Sequence, residues 1–157
     1  MTTSLVSILM AVYNGEKYLR EAIESIVHQS YPHFELVVID NGSTDGTADI
    51  ALLEAENDQR IRYLHLTEKG KIKAYNEGFK VSKGDYICFV GADDLLPPES
   101  LQKRLSAAKK NVDGFSTCLL RTFSEESQYD GMIYPKIQTQ PNYSGGSIFF
   151  SRPMANE

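Results

Sequence analysis

"FVGADDLLPPESL" runs from Phe89 to Leu101. An apolar run of strand character stops on two adjacent carboxylates, Asp93 and Asp94, and a proline-started helical pattern follows. A strand-end turn accounts for one acid, because Asp is common in turns and caps. It accounts less well for two, because neighbouring like charges repel. The same unit recurs upstream. "LVSILMAV" (5–12), "FELVVID" (34–40), "IRYLHL" (61–66) and "DYICFVG" (85–91) are short apolar runs rich in β-branched and aromatic residues. Near-continuous apolar strands belong to parallel sheets covered on both faces.

Helical patterns separate these strands. In "EKYLREAIESIVHQ" the residues Leu19, Ala22, Ile23, Ile26 and Val27 form one apolar stripe. "TADIALLEAEN" follows a Ser/Thr/Asp cluster suited to N-capping, so Ser43, Thr44 and Asp45 are expected to serve mainly as caps. "KAYNEGFKVS" is a weaker pattern with a glycine inside. "PESLQKRLSAAKK" sets Pro98 at the first helical position and Leu101, Leu105 and Ala108 on one face. The alternation predicts right-handed crossovers and a three-layer α/β/α fold with a mostly parallel, Rossmann-like sheet. After residue 112 the helices stop. "VDGFSTCLLRTF", "GMIYPKIQ" and "GGSIFFS" are read as strands of a mixed or antiparallel extension, and "RPMANE" as the start of another helix.

Composition excludes several classes. The chain has 157 residues and a net charge of −5, which suits one domain and argues against a nucleic-acid binder. The apolar runs fall short of the ~20 residues of a membrane span. "MTTSLVSILMAV" has neither a basic region nor a small-residue cleavage site, so it is read as a first strand and the expected location is cytoplasmic. Cys88 and Cys118 stand in apolar contexts, as buried thiols would. Three scattered histidines give no zinc pattern.

In an open α/β sheet, ligands bind outside the carboxyl ends of the strands. Three strand ends are loaded: "YNG" (13–15), "DNGSTDG" (40–46) and "ADD" (92–94). Their convergence on one edge suggests a crevice. Tyr13 also reads as a core-edge aromatic, and Asn14-Gly15 is a turn signal on any reading. On an extended chain Asp93 and Asp94 would point to opposite sides, one toward a hard cation and the other toward a ligand hydroxyl. A carboxylate with diphosphate oxygens and water is the usual holder of Mg2+ or Mn2+. No G-x-G-x-x-G and no G-x-x-x-x-G-K-[ST] is present, so dinucleotide and P-loop sites are excluded. Lys69, Lys71 and Lys73 read as diphosphate partners or, more plainly, as a solvated basic face.

Two long stretches, "VSILMAVYNGEKYLREAIESIVHQSYPHFELVVIDNGSTDGT" and "KAYNEGFKVSKGDYICFVGADDLLPPESL", resemble the family 2 glycosyltransferases of GT-A fold in order and spacing over about the first 105 residues. "GGSIFFSR" resembles the strand that precedes the family's acceptor site. The resemblance implies a donor-binding half, residues 1–111, and the start of an acceptor-side half, residues 112–157. It implies that Ala11, Tyr13, Asp40, Asn41, Lys73, Asn76 and Asp93 bind the donor. Tyr13 would lie against the base, Asp40 and Asn41 would line its pocket, Asp93 would meet the ribose, and Asp94 would bind Mn2+ or Mg2+ on the diphosphate. Ala11 replaces a frequent proline, Asn41 a frequent acid, and Gly91 stands where an acid often precedes the motif. The implied reaction is transfer of a sugar, with a UDP-sugar expected, to a glycan or lipid-linked acceptor with inversion, in bacterial polysaccharide or cell-surface glycan synthesis. The general base is expected beyond this chain, because Asp130 and Glu157 lack the context. Peripheral attachment at the inner membrane face and a homodimer are carried as expectations. The rival readings are a nucleotide-sugar-binding module without turnover and a sugar-phosphate nucleotidyltransferase. The latter would want a basic glycine-rich loop where "YNGEKYL" stands.

Overall fold

A computed structural model describes residues 3–110 throughout, and the strand segments 115–117, 120–121, 133–134 and 148–151. Strands β1 (Val6–Val12), β2 (Phe34–Asp40), β3 (Ile61–His65) and β4 (Tyr86–Phe89) alternate with helices α1 (Leu19–Val27), α2 (Thr47–Asn57), α3 (Lys71–Val81) and α4 (Ser100–Lys110). The four strands are parallel in the order β3-β2-β1-β4, with Val12 level with Asp40 and Asp40 level with His65. Their carboxyl ends therefore form one edge, as the sequence predicts.

The apolar runs are continuous because both faces are covered. Val6, Ile8, Met10, Val12, Leu36 and Val38 pack with Leu19, Ile23, Ile26, Ala51, Leu101 and Leu105 from α1, α2 and α4. Leu9, Val37, Ile39 and Ile87 pack with Ala74 of α3 on the other face. The glycine inside α3 has a packing cause. A β-carbon at Gly78 would stand 2.6 Å from Ile39 Cδ1, so the helix packs this closely on the sheet because no side chain there forces Ile39 to move.

Two helix starts differ from expectation. Helix α4 begins at Ser100, and Pro97 and Pro98 lie in the turn before it, where the Ser100 N–H donates to the Pro97 carbonyl at 2.9 Å. Ser43 and Thr44 do not cap α2. They bind the β1–α1 loop instead, and only Asp45 bonds into the first turn, accepting the Thr47 N–H at 3.1 Å.

In the later region, "VDGFSTCLLRTF" yields two strands rather than one: β5 (Phe115–Thr117) and β6 (Leu120–Arg121). β6 pairs with β7 (Ile133–Tyr134) in a separate ribbon. β8 (Ile148–Ser151) joins β4 antiparallel and β5 joins β8 antiparallel, completing a six-stranded mixed sheet in the order β3-β2-β1-β4-β8-β5. The helix expected in "RPMANE", and the residues Cys118, Asp130 and Glu157, lie outside the described residues. Among the described residues, no helix is long and apolar enough to cross a membrane.

Candidate functional site

The loops after β1 and β2 are tied together by backbone N–H groups meeting side chains. The Asn14 N–H donates to Ser43 Oγ and the Gly15 N–H to Thr47 Oγ1, each at 2.9 Å. The Thr44 N–H donates to Asn14 Oδ1 at 2.9 Å, and the Gly46 N–H to Glu16 Oε2 at 2.8 Å. Asn14 has φ +50°, a left-handed conformation that Asn tolerates better than most residues. This loop pair holds Tyr13 outward. The core-edge reading of Tyr13 is overturned: the residue is 48% exposed, and Lys69 Nζ donates to its hydroxyl at 2.7 Å while standing 4.3 Å from its ring centre.

Asp40 presents no surface to a ligand. It is fully buried at the end of β2, with Oδ1 accepting the Ser43 N–H and Oδ2 accepting the Tyr63 hydroxyl, both at 2.8 Å, and with His65 Nδ1 at 3.4 Å. Burial pushes its pKa up, but the hydrogen bonds from Ser43, Tyr63 and His65 outweigh burial and hold it below the usual carboxylate range. Burial, then the bonded Asp40 carboxylate, pushes the Tyr63 phenol up. In this structure the Asp40 carboxylate ties the end of β2 to Ser43, Tyr63 and His65. Asn41 is half-buried beside it. Its Oδ1 accepts the Gly70 N–H at 2.8 Å and so fixes the loop that opens α3. Gly42 has φ +78°, which suits a residue without a side chain, and the stem of Lys69 crosses above it.

Beyond β4 the chain turns rather than extends. The Asp94 N–H donates to the Gly91 carbonyl at 3.2 Å, and Asp94 Oδ2 accepts the Gly91 N–H at 3.1 Å. A β-carbon at Gly91 would stand 2.7 Å from Asp94 Oδ2 and 2.9 Å from Asp93 Oδ1. The two carboxylates therefore gather around one point instead of pointing to opposite sides. Side chains alternate only along an extended backbone, and between Gly91 and Asp94 the backbone turns. Among the described residues no group of three or more His, Cys, Asp or Glu side chains could hold a metal. A pair of carboxylates still fits Mg2+ or Mn2+, which take one or two protein oxygens and complete their shells with phosphate and water.

The remaining expected residues are less central. Ala11 is half-buried at the top of β1 and packs in the α3-side core. Lys73 Nζ is bonded to Glu68 Oε2, and that bond with its charge holds the Glu68 carboxyl below its ordinary range. Asn76 is exposed on α3, outside the face that buries Ala74 and Gly78. Sequence reasoning missed two features. One is the end of β3, where His65 Nδ1 lies 3.4 Å from Asp40 Oδ2; "IRYLHL" hid this because His65 lies inside an apolar run. The other is Tyr75, whose ring lies 4.7 Å from that of Phe89. Burial, then the charge of Asp94, pushes the Tyr75 phenol up.

The sequence model described as "Glycosyl transferase family 2" matches residues 7–154. A Bacillus subtilis (strain 168) protein named "Putative teichuronic acid biosynthesis glycosyltransferase TuaG" is 34% identical over 113 residues, covering 71% of this chain and 45% of that protein. The crystal structure of S. aureus TarS 1-349 in complex with UDP superposes with a TM-score of 0.63 at 30% identity, covering 75% of this chain and 35% of the other. The mannosyltransferase PcManGT from Pyrobaculum calidifontis, in complex with GDP-Man and Mn2+, shares the fold with a TM-score of 0.72 at 23% identity, covering 96% and 45%. The chain spans less than half the length of each of these proteins. With the loaded strand ends on one edge of a parallel sheet, and the family pattern matched over nearly all its length, the chain belongs to glycosyltransferase family 2.

Proposed function

We propose that residues 1–111 form the donor-binding half, and residues 112–157 the start of the acceptor side, of a glycosyltransferase. It takes a nucleotide-diphosphate sugar, with UDP-sugar preferred, and moves the sugar to a glycan or lipid-linked hydroxyl with inversion, in cytoplasmic synthesis of bacterial surface glycan. The observation that carries the reading is the gathering of Tyr13, Asn41, Asp93 and Asp94 along the carboxyl edge of β2, β1 and β4. The relative named for teichuronic acid biosynthesis supports the glycan class, and the neighbours described with UDP and with GDP-Man and Mn2+ support the donor class.

Each residue has a task within this reading. Tyr13 offers an exposed ring on which a base stacks. Asn41 spends one carbonyl lone pair on the Gly70 N–H and keeps the second for a base N–H. Asp93, the more exposed acid, reaches the ribose hydroxyls or the cation. Asp93 and Asp94 would hold Mn2+ or Mg2+, which when bound offsets charge on the departing diphosphate. Lys73 can leave Glu68 for a phosphate at small cost, because an exposed ion pair contributes little. Calorimetry with UDP and GDP, in Mn2+ and in EDTA, tests the reading. One of the two nucleotides binds in Mn2+, and binding is lost in EDTA and in Asp94→Ala. Equal affinity in EDTA would remove the metal role, and no binding of either nucleotide would remove the donor role.

A further inference from the structure

The acidic turn is mounted on α1 through a residue with no part in the donor contacts. Gln29 stands two positions past the end of α1 and is only 6% exposed. A buried carboxamide needs its hydrogen-bonding groups met, and here backbone meets both ends. Nε2 donates to the Pro97 carbonyl at 2.7 Å, with the Ser25 carbonyl at 3.0 Å and the Leu96 carbonyl at 3.2 Å also in reach. Oε1 accepts the Leu101 N–H at 3.0 Å. Two neighbours add to the mount. Ser25 Oγ accepts the Leu96 N–H at 3.1 Å, and the Ser30 N–H donates to the Pro98 carbonyl at 2.8 Å. Leu96 thus has its N–H and its carbonyl both held from the α1 side, and its side chain lies in the core.

Asp94 stands two residues before Leu96. At the other end of the segment the Val90 N–H donates to the Leu9 carbonyl at 3.2 Å, which fixes the chain to β1. Between these anchors the bonds between Gly91 and Asp94 close the turn on itself. Among the described residues, Asp93 and Asp94 make no hydrogen bond outside that turn. A turn closed on itself keeps its shape, but its place is set by its two ends. The base-side loops are fixed by a separate set of bonds, from Asn14 to Ser43 and Thr44 and from Gly15 to Thr47.

We infer that Gln29 is a positioning residue for the cation site: with Ser25 it fixes where the Asp93–Asp94 turn stands on the sheet edge. This rests on the donor reading above and adds a residue outside the site to it. Mg2+ accepts little departure from octahedral geometry, so its carboxylates must be held to within about 0.5 Å. Only a side chain with two N–H donors and an acceptor on one plane can hold the Leu96 and Pro97 carbonyls and the Leu101 N–H together. Loosening this mount moves the acids and leaves the base contacts where they are.

The signature is a split between diphosphate and nucleoside that loss of stability alone would not produce. In Gln29→Leu, UDP in Mn2+ binds about tenfold more weakly, in the range found when partners that orient a metal ligand are removed. Uridine affinity per folded molecule stays within about twofold, because the base contacts share no bond with Gln29. Ser25→Ala, which removes only the acceptor of the Leu96 N–H, weakens UDP about threefold. Ser7→Ala is the control. Ser7 lies near the amino end of β1, where its Oγ accepts the buried Gly84 N–H at 2.7 Å, so this variant loses stability and keeps the ratio of UDP to uridine affinity. NMR titration of the full chain measures both ligands at a temperature where melting curves show every variant folded, with guanosine and GDP run in parallel. Spin resonance of free Mn2+ in saturating UDP reads the cation directly. Equal losses of uridine and UDP in Gln29→Leu, no loss of either, or a ratio shifted as far by Ser7→Ala would overturn the inference while wild-type binding stands. Should Gln29→Leu fail to fold, an unchanged ratio in Ser25→Ala overturns it. If the wild type binds UDP and GDP no better in Mn2+ than in EDTA, the cation reading falls and this inference falls with it.

Discussion

Replacing Asn14 by Ala isolates the forces that hold Tyr13 in place. Asn14 contributes twice. Its φ of +50° is a conformation in which an ordinary β-carbon crowds the following carbonyl, at a cost of roughly 1–2 kcal/mol for Ala. Its Oδ1 also accepts the Thr44 N–H at 2.9 Å, an exposed hydrogen bond worth about 0.5–1 kcal/mol because water can replace it. Together Asn14→Ala should destabilise the fold by about 2 kcal/mol. At about 2–4 °C per kcal/mol for a chain of this size, the melting temperature falls by about 4–8 °C. Asn14→Gly separates the two contributions. It removes the acceptor but relieves the crowding, and its added unfolded-state freedom costs roughly 0.5–1 kcal/mol. The Gly variant should therefore melt between the wild type and Ala. Both variants loosen the residue next to Tyr13, so nucleotide affinity per folded molecule should fall several-fold. The assay is thermal melting by circular dichroism, paired with calorimetry of nucleotide binding. Ala and Gly variants that melt together would refute the strain argument, and an Ala variant as stable as the wild type would refute both parts.

Tyr13→Ala should weaken nucleotide binding by about ten- to a hundredfold with little change in melting temperature, since stacking is worth roughly 1–3 kcal/mol per base; a large melting change with unaltered affinity would reverse the assignment. Gly91→Ala places a methyl group inside the space that Asp93 and Asp94 share, so Mn2+-dependent binding should drop about tenfold or more while nucleoside binding holds; unchanged diphosphate affinity would show that the two acids do not act around one point. Asp40, whose folded pKa is lowered, contributes stability that is fully present above the unfolded value of ~3.9 and is lost as pH falls through the lower folded value. Asp40→Asn should therefore be clearly less stable than wild type at pH 7, with the gap closing below about pH 4; a gap that persists undiminished in acid would show that the charge is not what matters.

The parallel sheet was legible because covered strands must be apolar on both faces, and four such runs alternate with amphipathic stripes. Helix α2 matches its pattern at both ends because a polar cluster precedes Thr47 and no competing apolar signal follows Asn57. Other features depend on tertiary geometry. Ser43 and Thr44 carry the chemistry of caps, but the β1–α1 loop lies close enough to take their hydrogen bonds instead. Asp93 and Asp94 read as opposed because nothing local announces the Gly91 turn. The burial of Asp40 needs Tyr63 and His65, which lie 23 and 25 residues further along. Lys69 looked like one solvated cation among three, and only the path of its side chain over Gly42 sets it apart.

Strand β8 has a consequence for how the chain comes to be made. It supplies the antiparallel partner of β4, with Ile87 level with Phe150 and Cys88 level with Phe149, yet it lies about sixty residues downstream. During synthesis β1, β2 and β3 can assemble on β4 while one side of β4 still shows unpaired N–H and C=O groups on an apolar strand. Such an open edge is a template for pairing with another molecule. At roughly 5–20 residues per second the gap lasts several seconds. A variant that weakens β8 should therefore lower soluble yield more than it lowers the melting temperature of the molecules that do fold. The strand beside the acidic turn is then also the place where quality control by chaperones would act first.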